Sequence, residues 1–208
     1  MCIEKYSFSN LFKLSNLVGI VWNLDKEIKS RILYYASCTA YVCHILYKTN
    51  YRRIIKENNQ LISFLAANEY GRSSFFKYFY LLLCFIPIFI MIFYKDGRSI
   101  LKYQLAYNRL LDKMKDESDN KYNAELVLFI THPSYQGKGY GKALLNDFHT
   151  YMKEKNKLNI YLFTDNYCDY EMYEKAGCLK VNERERDFYF LAGEKFHQAL
   201  YMYAYKIN

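Results

Sequence analysis

The chain has 208 residues, 52% apolar and 19% aromatic, long enough for one domain with a real core and too apolar to be disordered. Its formal charge of +8 suits an anionic partner: a phosphate-bearing cofactor, an acidic membrane surface or nucleic acid. The basic residues are scattered, however, and no nucleic-acid motif accompanies them, so nucleic acid is not expected.

Residues 2–8 alternate weakly and read as an edge strand. Ser9 or Asn10 is placed to cap a short helix over 11–22, and Asp25 to open a second over 26–47. In the latter Ile28, Ile32, Leu33, Ala36, Ala40, Cys43 and Tyr47 recur at helical spacing. Residues 51–56 and 60–68, joined through Asn58 and Asn59, read as a β-hairpin. Residues 74–94 are almost wholly apolar, and 78–94 carry no charge. An amphipathic helix over 99–115 follows, with Leu101, Leu105, Tyr107, Leu110, Leu111 and Met114, and then a polar loop over 116–123.

The second half is more regular. Residues 124–131 form a buried strand, 133–139 a turn, and 140–155 a helix with Leu144, Leu145, Phe148, Tyr151 and Met152 on one face. A strand over 159–164 precedes a short helix over 167–176, which Asp165 is placed to cap and Gly177 to stop. Alternating strands over 179–190 and 199–207 close the chain, the signs at 183–187 marking a solvated side. The six cysteines show neither a C-x-x-C pair nor metal-ligand spacing. The first ten residues lack the basic-then-apolar pattern of a signal peptide. Reduced thiols, no metal and a cytoplasmic protein are the expectation.

The loop Gln136, Gly137, Lys138, Gly139, Tyr140, Gly141 lies between a strand and a helix. Glycines let the backbone approach an anion, and the free amides and dipole of the first helical turn attract it. Lys138 adds a positive charge. The spacing matches neither the dinucleotide fingerprint nor the ATP-type phosphate loop.

Residues 125–145, ELVLFITHPSYQGKGYGKALL, resemble the signature of the GNAT superfamily of N-acetyltransferases, a strand running into Q/R-x-x-G-x-G/A and a helix. A second stretch over 164–177 resembles that family's N-x-x-A-x-x-x-Y-x-x-x-G-F element, with Asp169 and Cys178 departing from it. The resemblance covers about 54–68 and 124–207. It implies an α/β (α+β) fold, a mixed, mostly antiparallel sheet flanked by helices, and acetyl-coenzyme A as cosubstrate. Gln136 to Gly141 would hold the pyrophosphate. The backbone of Phe129, Ile130 and Thr131 would meet the pantetheine arm and, near Ile130 or Thr131, polarise the thioester. Asn166 would contact the cofactor, and Tyr173 would protonate the leaving thiolate. Glu125, 11 residues before Gln136, corresponds to the catalytic glutamate of the histone-acetylating branch. Heading an apolar strand, it would be partly desolvated and suited to take a proton; its bland alternative is a surface pair with a lysine such as Lys121. His132 reads as structural.

The implied activity is acetyl transfer to a primary amine, of a small molecule or a protein, by direct attack in a ternary complex. Two other classes are a non-catalytic acyl-coenzyme A sensor, which intact Glu125 and Tyr173 argue against, and a membrane-associated protein. If helical, 78–94 would span roughly 25 Å, short of the ~30 Å bilayer core, and Pro87 is expected to kink it. Lys77 and Lys95 flank it evenly, so no positive-inside bias is visible. A single crossing would also separate 60–68 from 124–131, strands that should pair. The expectation is therefore one domain over 1–208 with a helical-hairpin insertion at 72–119, between the third and fourth strands. Leaving the sheet near Glu125, it could wall the amine site, form a homodimer interface or make a peripheral membrane contact.

Overall fold

A computed structural model describes residues 2–72, 77–118 and 121–207. The strands are β1 (Ile3–Lys5), β2 (Tyr51–Glu57), β3 (Gln60–Glu69), β4 (Ala124–Thr131), β5 (Asn159–Asp165), β6 (Leu179–Tyr189) and β7 (Lys195–Lys206). They form one sheet in the order β1-β2-β3-β4-β5-β7-β6, in which only β4 and β5 run parallel. The β2–β3 hairpin turns on Asn58 (φ 49°) and Asn59 (φ 63°), a left-handed pair whose twist suits a two-residue loop.

The helices are α1 (Leu11–Val21), α2 (Leu24–Glu27), α3 (Arg31–Lys48), α4 (Lys77–Ile92), α5 (Lys95–Asp116), α6 (Tyr140–Glu154) and α7 (Glu171–Lys175). Alternation along β2 and β3 sends Ile54, Phe64 and Ala66 to one face and Ile55, Leu65 and Ala67 to the other. On the second face α6 buries Leu144, Phe148 and Met152 against Leu126, Ile160, Leu162 and Tyr203. On the first, α1, α3 and α4 cover β2–β4 through Leu14, Leu17, Val18, Leu46, Tyr80 and Cys84. There α5 covers β5–β7 through Met114, packed with Tyr161, Phe188, Leu200 and Met202.

Three local expectations are corrected. The helix expected over 26–47 is broken: Ile28 turns into the core on extended backbone, and α3 restarts where Ser30 Oγ accepts the Leu33 N–H at 3.4 Å. Neither Ser9 nor Asn10 caps α1 through its side chain, since the Asn10 amide donates to Ser7 Oγ at 2.8 Å. Asp165 does not cap the short helix; its Oδ1 takes the Tyr167 N–H at 2.9 Å, closing a turn that holds α7 to Glu171–Lys175.

Two helices, α4 and α5, lie between β3 and β4, and α4 runs unbroken through Pro87. Residues 73–76 and 119 of the expected insertion, and 120 beyond it, lie outside the described residues. Among the described residues no helix is long and apolar enough to cross a membrane.

Candidate active site

Strand β4 changes character halfway along. Against β3, Leu126 pairs with Ala67 but Leu128 with Ala66, so Val127 is an extra residue, a β-bulge. Against β5, pairing covers only Ala124–Ile160, Glu125–Tyr161 and Leu126–Leu162. Beyond that point β5 keeps its ladder with β7 as far as Asp165–Leu200. The edges of β4 from Val127 to Thr131 and of β5 from Phe163 to Asp165 therefore part in a wedge. Their facing N–H and C=O groups call for a strand-like partner.

The wide end of the wedge leads into the glycine loop. His132 Nδ1 accepts the Ser134 N–H at 3.2 Å and sets the turn over Pro133–Tyr135, and the Gln136 amide donates to Thr131 O at 3.4 Å. Gly137 (φ 73°) and Gly139 (φ 85°) take left-handed backbone that a side chain would strain. Gly139 caps α6 without a side chain, and the first helical bond runs from the Ala143 N–H to Gly139 O at 3.0 Å. The N–H groups of Tyr140, Gly141 and Lys142 thus lack an intrahelical acceptor at the positive end of a 15-residue helix. Gly141 has a different role. A Cβ there would lie 3.0 Å from Phe129 Cζ and 3.5 Å from Thr131 Oγ1, so its bareness lets α6 start against β4. Lys138 Nζ sits 4.9 Å over the Tyr135 ring, and the Tyr140 hydroxyl donates to Glu57 at 3.1 Å. These amides, glycines and the lysine fit a diphosphate followed by an extended amide-bearing arm.

Glu125 lies at the narrow end, on the sheet face away from α6. It accepts the Tyr161 O–H at 2.9 Å, and Tyr161 O lies 2.6 Å from the Tyr70 hydroxyl. Lys115 of α5 places Nζ 4.7 Å from the Tyr70 ring and 5.8 Å from the Tyr161 ring. The residues around Glu125 are thus two tyrosines and Lys115 rather than Lys121. Burial pushes the Tyr161 phenol far up, so it stays a donor.

Tyr173 comes from α7 and packs in the same cluster as Phe129 and α6, on the opposite face from Glu125. Burial, with the neighbouring Cys168 thiol next in effect, raises its phenol, which keeps its proton at neutral pH. Asn166 is partly spent: its Oδ1 accepts the Ala199 N–H at 2.9 Å and its N–H donates to Ala199 O at 3.1 Å. Its side-chain NH2 is what it can offer a ligand.

Neither Tyr161 nor the Val127 bulge stood out in the sequence. Each follows from strand register, which no local motif encodes. Among the described residues no group of three or more His, Cys, Asp or Glu side chains is arranged to hold a metal.

Residues 103–178 match the family model described as Acetyltransferase (GNAT) family. Comparison with curated proteins gives no significant match. Among solved structures, the aminoglycoside 6'-N-acetyltransferase from Enterococcus faecium is similar, at 16% identity over 100% of this chain and 98% of that one, with a TM-score of 0.56. An aminoglycoside 6'-N-acetyltransferase complexed with coenzyme A gives 16% identity, 100% and 98% coverage and a TM-score of 0.55. Ard1 from Thermoplasma volcanium gives 12% identity, 100% and 97% coverage and a TM-score of 0.55. At such identities the likeness is one of fold. Fold and family match meet on the same strand, loop and helix: residues 103–178 match the GNAT acetyltransferase family model, and the whole chain shares the fold of solved acetyltransferases, one of them complexed with coenzyme A.

Proposed function

We propose that the enzyme passes the acetyl group to a primary amine, free or protein-borne, by direct attack with both substrates bound. The observation that carries this reading is the parting of β4 and β5 beyond Leu126 into a wedge that ends at the glycine loop. Free amides at 140–142, with Gln136, Gly137, Lys138 and Gly139, would hold the pyrophosphate. The edge carrying Phe129, Ile130 and Thr131 would pair with the pantetheine amides, and the Asn166 NH2 would add a contact.

Strand rise, about 3.3 Å per residue, puts Val127 some 13 Å behind Thr131, within reach of an extended arm. An N–H at the bulge, freed from the β3 ladder, is therefore a better polariser of the thioester carbonyl than one at Ile130 or Thr131. Glu125, two residues back, would take the amine proton directly or through water, with Tyr161 fixing its orientation. As nitrogen bonds to the carbonyl carbon and the carbon–sulfur bond breaks, Tyr173 would give its proton to sulfur from the other face. On the sheet face away from α6, the Trp22–Tyr41 pair, ring centroids 5.1 Å apart, packs in the cluster that holds Val127 and Leu128, and Tyr103, which donates to Gln198 at 3.2 Å, in the one that holds Tyr161 and Phe163. An aromatic-walled amine channel there, with α5 as one wall, follows from this reading.

The test is thiol release from acetyl-coenzyme A with panels of amines, polyamines, aminoglycosides and peptides, run beside calorimetry of coenzyme binding. Amine-dependent release that drops on Glu125→Gln and Tyr173→Phe, with binding retained, supports it. Binding without amine-dependent release would defeat the amine reading, and unchanged turnover in either variant would remove that residue's role.

A further inference from the structure

The apolar run in α4 is only half accounted for by the fold. Tyr80, Cys84, Pro87 and Met91 face the core, where Cys84 Sγ reaches Ala40 O at 3.5 Å. The opposite stripe, Tyr78, Leu82, Phe85, Ile86, Phe89 and Phe93, is 53% to 69% exposed at every position. These residues recur at the spacing of one helix face and carry no charge between them. Phe8 continues the surface, its ring centroid 5.3 Å from that of Phe79. A contiguous apolar surface of this kind, unlike scattered single residues, marks a place where something docks.

Charge decides what fits. Lys77 stands at one end of the stripe, its Nζ 5.1 Å from the Tyr78 ring, and Lys95 and Arg98 stand exposed at the other, with Asp96 the one acidic neighbour. A second copy docking α4 on α4 antiparallel would set Lys77 against Lys95 and Arg98; a parallel arrangement would set Lys77 on Lys77. Like charge meets like in the parallel case, and in the antiparallel case Asp96 offsets only one of the two basic residues facing Lys77. The stripe is also a ridge one helix wide rather than a groove shaped to take another helix. A negatively charged bilayer surface suits all three features: it has no shape of its own, it accepts aromatic and aliphatic side chains at the depth of its headgroups, and it attracts basic residues at both ends at once.

We infer that α4 lies flat on anionic lipid, with its Tyr78–Phe93 stripe in the headgroup–acyl boundary and its basic ends on the lipid phosphates. A 16-residue helix, about 24 Å long, lies in such an interface without crossing it. Because α5 follows directly and covers β5–β7, the acetyltransferase sheet would be held at a fixed height above the surface.

Full-length protein is sedimented with vesicles of phosphatidylcholine alone or of equal parts phosphatidylcholine and phosphatidylglycerol, and its mass in solution is measured by light scattering. Co-sedimentation is expected with the anionic vesicles only. It should weaken as salt rises and fall about tenfold or more in Phe85→Ser/Phe89→Ser, since two exposed aromatic side chains lose their burial. Lys77→Glu/Lys95→Glu should lose the preference for anionic lipid. Thermal melting and coenzyme binding like the parent's verify that these surface variants fold. Absence of vesicle binding overturns the inference, as does equal binding to both vesicle types. A dimer that Phe85→Ser/Phe89→Ser dissociates, seen without vesicle binding, assigns the stripe to a second copy instead.

Discussion

The carboxylate of Glu125 is held by a phenol that is in turn held by another phenol, and this chain, not the carboxylate alone, sets its direction. Tyr161 is fully buried between Tyr122, whose ring centroid is 4.7 Å away, and Tyr70. Its hydroxyl therefore cannot follow Glu125 to another rotamer, which is what a positioning group requires. A hydrogen bond to a charged partner contributes about 1.5–3 kcal/mol, equivalent to roughly tenfold to a hundredfold in rate if it is needed in the transition state. Tyr161→Phe keeps the packing volume and removes only that donor. The expected result is a kcat on the amine about tenfold lower, with the KM for acetyl-coenzyme A unchanged. Steady-state kinetics check it, with a melting curve to separate the two roles: lower stability with unaltered kcat would make Tyr161 a structural residue only. Tyr70→Phe, one step further away, should have the smaller effect.

Between elements, the backbone is closely packed where α4 hands over to α5. A Cβ on Gly97 would lie 2.1 Å from Met91 O, a backbone atom that no rotamer change can move. Gly97→Ala should therefore force the two helices apart. An overpacking cost of about 1–3 kcal/mol, visible as a lower melting temperature, is expected, with coenzyme affinity intact because α6 and its loop are untouched. A melting temperature equal to the parent's would mean that the α4–α5 turn yields freely. How well each element could be read from the sequence tracks how locally it is determined. The β2–β3 hairpin is written in Asn58 and Asn59, β4 in an apolar run bounded by a polar loop and Pro133, and the start of α6 in three glycines. The break before α3 is hidden because Ile28 fits the helical period while its backbone is extended. Strand β7 begins at Lys195, four residues before its apolar alternation. Its early part is an exposed ladder in which Lys195 and His197 meet Asp187 at 2.8 and 3.0 Å, a pairing only the register defines. The glycine loop was legible for the same reason as the hairpin, whereas the wedge and the bulge were not, since both arise from where two distant strands stop pairing.

For the molecule as a whole, two buried groups make stability depend on pH in the same direction. Glu69, at the end of β3, is 4% exposed and takes Lys157 Nζ at 2.7 Å and the Tyr151 hydroxyl at 2.6 Å, tying β3 to α6 and to the approach to β5. Burial alone would raise its carboxyl, but the Lys157 and Tyr151 hydrogen bonds, with the nearby Lys157 and Arg72 charges, outweigh it and hold it below the usual range. Its contribution is present above the unfolded value, about 4.3, and is lost as pH falls through the lower folded value. On α3, burial pushes the His44 imidazole down to about 4, with Lys48 adding to the effect. Between about 6.5 and that value only the unfolded chain holds the proton, so stability falls with pH across that window. Melting temperature should decline from pH 7 to pH 4, His44→Gln flattening the upper part of the decline. Glu69→Gln should flatten the lowest part while costing about 1.5–3 kcal/mol at neutral pH, because Lys157 loses its carboxylate and keeps only Tyr70 O as acceptor. A flat profile in the parent would show that neither group is shielded as described.

The same whole-molecule scale bears on the wedge. A ligand that binds only the folded chain stabilises it by about 2.7 kcal/mol at a hundred times its Kd. If the pantetheine arm pairs as a strand would, the added protection from hydrogen exchange should concentrate on the β4 edge from Val127 to Thr131 and on the amides of Tyr140, Gly141 and Lys142. Helix α4 sets the contrast: it packs chiefly on α3, on the face of the sheet away from α6 and its loop, so its backbone amides, already bonded within the helix, should gain little. Exchange measured by mass spectrometry with and without coenzyme A, under conditions where local opening dominates, distinguishes the two patterns. Protection spread evenly, or centred on α4, would mean that the cosubstrate does not lie along the β4 edge, and the assignments of Glu125 and Tyr173 to opposite sides of the reacting carbonyl would lose their geometric basis.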